Sequence, residues 1–218
     1  MKTWWSALWR GRPVTVFLLV SSYLFGVAMI GWHVIDGFAY LTSLHILMST
    51  VLLLAADQSL SRSRFWLWAF LCAQLGFWAE YVGVQYEWLF GTYIYGDVLG
   101  PKFRAIPVIM GVNWVLVVYA VCATVDYLRS SWPVLAKAAL AGISMVLLDL
   151  LIEPTAIRLD FWTWATGHPP LQNYIGWLAV GIAQAGLYFW LVRGSNNAVA
   201  PLVLGLQVLF FAALGILL

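Results

Sequence analysis

Long apolar stretches alternate with short polar ones along the whole chain. Each apolar stretch is close to the ~20 residues that an α-helix needs to cross the hydrocarbon core of a bilayer. The pattern therefore predicts an all-α fold, a polytopic transmembrane bundle of about seven helices, with residues 1–218 as a single transmembrane domain. The predicted spans are roughly 13–31, 39–56, 65–86, 106–128, 133–152, 174–192 and 199–217.

Composition and charge support this class. Hydrophobic residues make up 63% of the 218 and charged residues only 9%, and the net charge of +2 is too small to indicate a nucleic-acid partner. We expect a multi-pass protein of the cytoplasmic membrane, surrounded by the lipid bilayer. The first apolar run is too long for a signal peptide and lacks an A-x-A cleavage site, which predicts a retained helix.

The basic residues of the loops predict the orientation, because cytoplasmic loops carry an excess of lysine and arginine. If the N-terminus is inside, the cytoplasmic side collects eight: Lys2, Arg10, Arg12, Arg62, Arg64, Arg129, Lys137 and Arg193. The opposite side holds three: Lys102, Arg104 and Arg158. The bias predicts the N-terminus in and the C-terminus out.

Polar side chains in or beside the predicted helices gather in one half of the bilayer, because successive helices alternate in direction. The group consists of Asp36, His45, Glu80, Asn113, Asp149, Glu153 and Asn173. A charged side chain at the bilayer centre costs ~2.5–3.5 kcal/mol on insertion scales, so such residues usually face the bundle interior and mark function. For Asp36 and Asn173 the alternative is a helix end near water.

Among these residues, Asp149 and Glu153 give the most specific prediction of a functional pair. Residues four apart share one helix face, with Cβ atoms ~5–6 Å apart. Pro154 disfavours helical geometry at Glu153 and predicts that the helix ends there. Two poorly solvated carboxylates resist simultaneous ionisation, so one can hold a proton at neutral pH while its neighbour accepts one. The alternative is a salt bridge to Arg158 or to a neighbouring loop.

Two further residues are candidates for the same site. The apolar sequence continues beyond Glu80, which predicts that this carboxylate is partly buried and functional. His45 fits either a hydrogen-bonded packing residue or a site residue. A metal site joining it to the three carboxylates can be drawn, but no E-x-x-H or H-x-x-x-H spacing supports one, and we predict no metal. The aromatic segments 87–105 and 153–173 fit interface anchors or structured capping or re-entrant loops.

Two segments carry a resemblance to a known family. They are AEYVGVQYEWLFGTYIYGDVLGPKFRAIPVIMGVNW and LLDLLIEPTAIRLDFWTWATGHPPLQNYIGW. Their combination of E-x-x-G ahead of F-G-x-Y-x-Y, and of D-x-x-x-E-P ahead of W-x-W and N-Y-x-G-W, resembles the integral-membrane carotenoid biosynthesis family. That family includes carotenoid 1,2-hydratases of the CruF type and of the bisanhydrobacterioruberin hydratase type. The match covers roughly residues 77–177.

The resemblance implies a hydro-lyase that adds water to the terminal C1=C2 double bond of an acyclic carotenoid of the lycopene or γ-carotene type, without an organic cofactor. It leaves open an association with other carotenoid-pathway enzymes. The chemistry needs an acid to protonate C2, aromatic faces for the tertiary cation at C1, and a base for the incoming water. Asp149 or Glu153 is the predicted donor, with Glu80 as base or second donor, and these roles could permute.

The remaining predicted site residues contact the substrate or the water. Asn113 and Asn173 are expected to position the water. The other predicted substrate contacts are His45, Trp78, Tyr81, Tyr93, Trp114, Trp162 and Trp164. The alternatives are a carotenoid end-group cyclase, which shares the protonation step but closes a ring, and a non-catalytic carotenoid-binding or transport protein. A retinal protein is disfavoured, since the last two helices contain no lysine.

Overall fold

The fold is described from a computed structural model, which covers residues 12–35, 37–57, 63–192, 194–195 and 197–218. Asp36 lies outside the described residues, as do four of the basic residues used to predict the orientation, Lys2, Arg10, Arg62 and Arg193.

Seven α-helices form the bundle within the described residues, which confirms the prediction of a mainly helical fold with about seven long apolar helices. They are α1 (Pro13–Gly31), α2 (Thr42–Ala55), α3 (Ser63–Tyr86), α4 (Ile109–Arg129), α5 (Val134–Arg158), α6 (Leu171–Leu191) and α7 (Ala200–Leu217). A 3₁₀ turn, Phe38–Leu41, leads into α2. When this turn is counted as part of α2, each of these seven helices is long and apolar enough to cross a membrane. The orientation of the termini stays a prediction.

The end of α5 differs from the prediction. The helix does not stop at Glu153 but continues to Arg158 with Pro154 inside it. Proline has no N–H, so the turn loses one backbone hydrogen bond. The last turn is still closed, because the amide of Leu159 donates to the carbonyl of Thr155 at 2.9 Å. Asp149 and Glu153 therefore lie on one uninterrupted helix.

Helix α4 occupies the centre of the bundle. It is buried along most of its length and contacts α2, α3, α5, α6 and α7. The outer helices expose large apolar side chains, among them Phe17, Leu44 and Phe70, as lipid-facing surfaces do. Helix α1 packs mainly against α7 and has few contacts with α2. The seam between α1 and α2 is therefore loosely packed.

The aromatic segments fold into two small antiparallel sheets. Strand β1 (Tyr93–Tyr95) pairs with β4 (Trp162–Trp164), and β2 (Lys102–Phe103) pairs with β3 (Ile106–Pro107). Just before β1, Gly91 has φ of +100°, and an added Cβ there would overlap Pro170. The loops are thus structured, which was one of the two alternatives that the sequence left open, and the β1–β4 sheet joins two distant segments.

Near the start of α5 lies a group of buried polar residues that we call the ion-pair cluster. Lys137 Nζ donates to Asp126 Oδ1 at 2.6 Å, and the amide of Ser195 donates to Asp126 Oδ2 at 3.2 Å. The hydroxyls of Tyr119 and Ser195 donate to Asp57. The members are Asp57, Tyr119, Asp126, Lys137, Ser195 and Asn197.

Candidate active site

Glu80 lies on the buried face of α3 and accepts three hydrogen bonds. The hydroxyls of Tyr93 and Tyr95 donate to Oε2 at 2.6 and 2.8 Å, and Trp114 Nε1 donates to Oε1 at 3.0 Å. Burial, together with the charge of Glu80, raises the pKa of both tyrosines. Both phenols therefore keep their protons and act as donors to the carboxylate.

Glu153 on α5 is held in a similar way by the other strand of the sheet. The indole nitrogens of Trp162 and Trp164 donate to its Oε2 at 3.1 and 2.9 Å. Tyr93 is paired with Trp164 and Tyr95 with Trp162. Because side chains alternate along a strand, all four aromatic rings lie on one face of the sheet. One small sheet thus supplies four donors to two glutamates.

Asp149 lies one helical turn before Glu153 and accepts fewer hydrogen bonds. Asn173 Nδ2 donates to its Oδ2 at 2.7 Å and contacts Glu153 Oε1 at 3.5 Å. The other oxygen, Oδ1, is buried and has no hydrogen-bond partner among the residues that the structure describes. We refer to Glu80, Asp149, Glu153 and Asn173 as the carboxylate cluster. The alternative of a salt bridge to Arg158 is not formed, and Arg158 donates instead to the carbonyl of Gly215 at 3.2 Å.

A cavity of about 190 Å³ lies beside Asp149. Its wall is mainly apolar and aromatic, with faces from Tyr23, Phe38, Phe161, Trp162, Trp177, Phe210 and Phe211. A few polar groups interrupt this wall, including Ser22, His45, Asn113, Asp149 and Gln207. Two lining residues, Phe25 and Leu41, are about half exposed on the outside of the bundle, at 54% and 47%. The cavity therefore opens sideways, at the loose seam between α1 and the turn before α2.

A second cavity, of about 20 Å³, adjoins the first. Glu80, Glu153 and Asn173 line it, and it shares Trp162 and Trp177 with the larger cavity. One water needs roughly 10–15 Å³ of such space and two to four polar partners. The smaller cavity therefore has the size and polarity to hold about one water between the two glutamates.

Most of the residues predicted from the sequence come together here. The cluster and its donors include Glu80, Tyr93, Trp114, Asp149, Glu153, Trp162, Trp164 and Asn173. His45 and Asn113 line the larger cavity, where His45 Nε2 lies 3.3 Å from Ser22 Oγ. Trp114 lines neither cavity, and one face of its ring stacks on Trp177 with centroids 4.5 Å apart.

Two predicted substrate contacts lie elsewhere. Trp78 is 46% exposed on the outside of α3, its indole donates to Gln74, and its ring packs against Tyr81. Neither residue lines either of the two cavities. At 3.6 residues per turn, both point away from the face of α3 that carries Glu80. Their contact with a substrate stays a prediction.

Sequence reasoning also missed three residues of the site. Tyr95 repeats the position of Tyr93 two residues on, a period that a strand would have explained. Trp177 was not among the predicted site residues, although it lines both cavities. Gln207 is a lone polar residue in the very apolar α7, and this isolation was its only signal.

The bundle and its buried carboxylates define a multi-pass membrane protein whose interior acidic site adjoins an apolar cavity. The chain belongs to the carotenoid biosynthesis protein family, whose model matches residues 38–218. It is similar to the bisanhydrobacterioruberin hydratase of Haloarcula japonica, with 30% identity over 117 residues. That match covers 50% of this chain and 39% of the relative, so the chain spans about two fifths of the relative's length. No solved structure matches it.

Proposed function

We propose that the protein is a carotenoid 1,2-hydratase, which adds water across the terminal C1=C2 double bond of an acyclic carotenoid. The observation that carries the proposal is Asp149, a buried carboxyl with an unpartnered oxygen, in the wall of an apolar cavity. Membership of a carotenoid family and the similarity to a hydratase support the same chemistry. The setting we propose is the cytoplasmic membrane, beside other enzymes of the pathway.

The size of the cavity fits one end of a long substrate. A cavity of about 150 Å³ holds a benzene molecule, so the 190 Å³ here suits an end group and not a whole polyene. The remainder of the chain would pass between Phe25 and Leu41 into the lipid. Lycopene or a γ-carotene type substrate, each with an acyclic end, fits this arrangement.

Asp149 is the proposed acid. A buried carboxylate oxygen without a donor is costly when charged, which favours the protonated acid at this position. Its proton is transferred to C2 of the alkene, and the two π electrons form the new C–H bond. The positive charge then lies on C1, which carries three carbon substituents.

Glu80 and Glu153 are the proposed stabilisers of this cation. Each accepts at least two hydrogen bonds from N–H or O–H groups, which offset part of the cost of burying its charge. Their negative charge lies close to the cavity. The ring faces of Trp162 and Trp177 would add ~0.5–2 kcal/mol each through cation–π contact.

Water completes the reaction. Its oxygen bonds to C1, and the proton it loses returns to the Asp149 carboxylate, so the acid is regenerated. The net change is one water added to one double bond, with no oxidant, reductant or organic cofactor. Asn113 and His45, both in the cavity wall, are placed to contact the end group or this water.

Expression of the protein in lycopene-accumulating cells, followed by mass spectrometry of the pigments, tests the proposal. A hydratase adds the mass of one water for each end that reacts. A cyclase gives a product of unchanged mass and altered retention, and a binding or transport protein gives no new pigment. Either of these results, from protein shown to be folded in the membrane, would overturn the proposed function.

A further inference from the structure

Gln207 of α7 lines the same cavity as Asp149, which lies on the neighbouring helix α5. Its side chain is buried, at 5% exposed, and within the described part of the chain its Oε1 has no hydrogen-bond partner. Both residues line the larger cavity, and each has one buried oxygen that accepts no hydrogen bond from the described residues. A buried amide oxygen without a donor costs roughly 1–3 kcal/mol, so its position in an otherwise apolar wall calls for a polar partner.

The chemistry of the cavity and of its proposed substrate restricts which polar partner Gln207 can have. A carotenoid end group is a hydrocarbon and supplies no hydrogen-bond donor. A buried water typically makes two to four hydrogen bonds to such unsatisfied groups. Asp149 and Gln207 together provide two acceptor positions, and Asn113 lies in the same wall.

We infer that Gln207 is a positioning residue that holds the water destined for C1, an inference that rests on the proposed function. Its amide oxygen accepts one hydrogen of the water, which orients the oxygen lone pair toward the cation. The second hydrogen points to Asp149, which takes it as the C–O bond forms. Asp149 therefore protonates the alkene, while Gln207 determines whether water captures the cation.

Without a positioned water, the cation has another fate. It loses a proton from C2 or from a methyl group on C1, and an alkene is formed again. In D₂O the acid delivers deuterium to C2, and loss of a proton then leaves deuterium in the recovered substrate. Deuterium incorporation thus reports protonation, and hydroxylated product reports capture by water.

The experiment measures both quantities in D₂O, with lycopene and membranes that contain equal amounts of folded protein. Gln207→Leu removes the amide, and Gln207→Glu keeps an oxygen acceptor. The matched control is Gln184→Leu, because Gln184 is also buried with an unpartnered amide but lines neither cavity. We expect Gln207→Leu to lower the ratio of hydration to deuterium incorporation by about tenfold, the value of one good hydrogen bond. Gln207→Glu restores most of this ratio, and Gln184→Leu leaves it unchanged.

Three results would overturn the inference. In the first, Gln207→Leu keeps the wild-type ratio. In the second, hydration and deuterium incorporation fall in parallel, which assigns Gln207 to folding or to protonation. In the third, the wild-type protein neither hydrates lycopene nor labels it, so that the proposed function fails as well. The wild-type measurement therefore separates failure of the function from failure of the role of Gln207.

Discussion

The carboxylate cluster and the ion-pair cluster lie toward opposite ends of α5. Lys137 and Asp149 are twelve residues apart, which is ~18 Å along the helix. Both clusters bury acidic side chains in apolar surroundings, and both tie several helices together. They differ in what compensates the charge and in what lies beside it.

In the ion-pair cluster, the charge of Asp126 is matched by Lys137 at 2.6 Å, and Lys137 also packs over the ring of Phe189 at 4.6 Å. None of the six members lines either of the two cavities. In the carboxylate cluster, the acids accept hydrogen bonds from neutral N–H and O–H groups, and Asp149 Oδ1 has no partner among the described residues. A buried acid that is paired and packed holds a structure together, whereas one that adjoins a cavity with an oxygen to spare can carry out chemistry.

The largest effect that separates the two clusters is expected from Asp149→Asn. The amide keeps the shape and the contact with Asn173, but it has no acidic proton to give. General acid–base catalysis typically contributes 10²–10⁴-fold, so we expect hydrated pigment to fall by at least ~100-fold with unchanged membrane abundance. Pigment analysis in the lycopene-accumulating host measures this.

The control for this substitution is Asp160→Asn. Asp160 is an exposed carboxyl just beyond α5 and lines neither cavity. It should keep wild-type activity. Glu80→Gln and Glu153→Gln complete the series, and full activity in all three amide variants of the carboxylate cluster would end the proposed mechanism.

Lys137→Met in the ion-pair cluster is expected to give the reverse result. It leaves Asp126 buried beside neutral groups, and removal of one partner of a buried pair costs roughly 3–5 kcal/mol. Thermal denaturation in detergent should show a large loss of stability, while activity per folded molecule stays near wild type. Lys137→Met combined with Asp126→Asn removes both charges and should recover part of the stability. A loss of activity without a loss of stability would contradict this division of roles.

The sequence was sufficient to predict those features of the molecule that depend on a single property along the chain. The length of each apolar run gave the helices, because a bilayer fixes how many apolar residues a span needs. The alternation of helices then placed Glu80, Asp149, Glu153 and Asn173 on one side of the membrane. The structure brings these four residues into one cluster.

The parts that depend on contacts between distant segments could not be predicted in the same way. The sheet that joins Tyr93 and Tyr95 to Trp162 and Trp164 has three residues in each strand, too few for a period of two to stand out among aromatic interface residues. The continuation of α5 through Pro154 depends on tertiary packing that outweighs one lost hydrogen bond. For Trp78, the helical period of 3.6 residues was enough to show that its side chain and that of Glu80 point in different directions, but the prediction did not use it.

A smaller effect is expected when the support of the carboxylate cluster is disturbed from outside. An added Cβ at Gly76 would overlap the side chain of Trp114, which donates to Glu80. Gly76→Ala should displace this indole, and loss of a hydrogen bond to a charged group is worth roughly 1.5–3 kcal/mol. We expect activity to drop about tenfold or more. Gly186→Ala is the matched control, because nothing lies within 4 Å of an added Cβ there, and it should leave activity unchanged. Equal activity of the two variants would show that the Trp114 contact is not needed.

The smallest effect is expected at the mouth of the larger cavity. The members of the ion-pair cluster do not line this cavity. Phe25 and Leu24 are neighbours on α1 with similar exposure, 54% and 63%, but only Phe25 lines the larger cavity. Phe25→Trp narrows the passage between α1 and Leu41, and crowding of this kind costs about 1–3 kcal/mol when it cannot relax. Because the outer surface can yield toward lipid, we expect the lower end, roughly a threefold to tenfold rise in KM for lycopene with little change in kcat. Leu24→Trp adds a comparable bulk to the lipid-facing surface and should change neither parameter. If both variants behave alike, the substrate reaches Asp149 by another route, and the lateral opening has no part in binding.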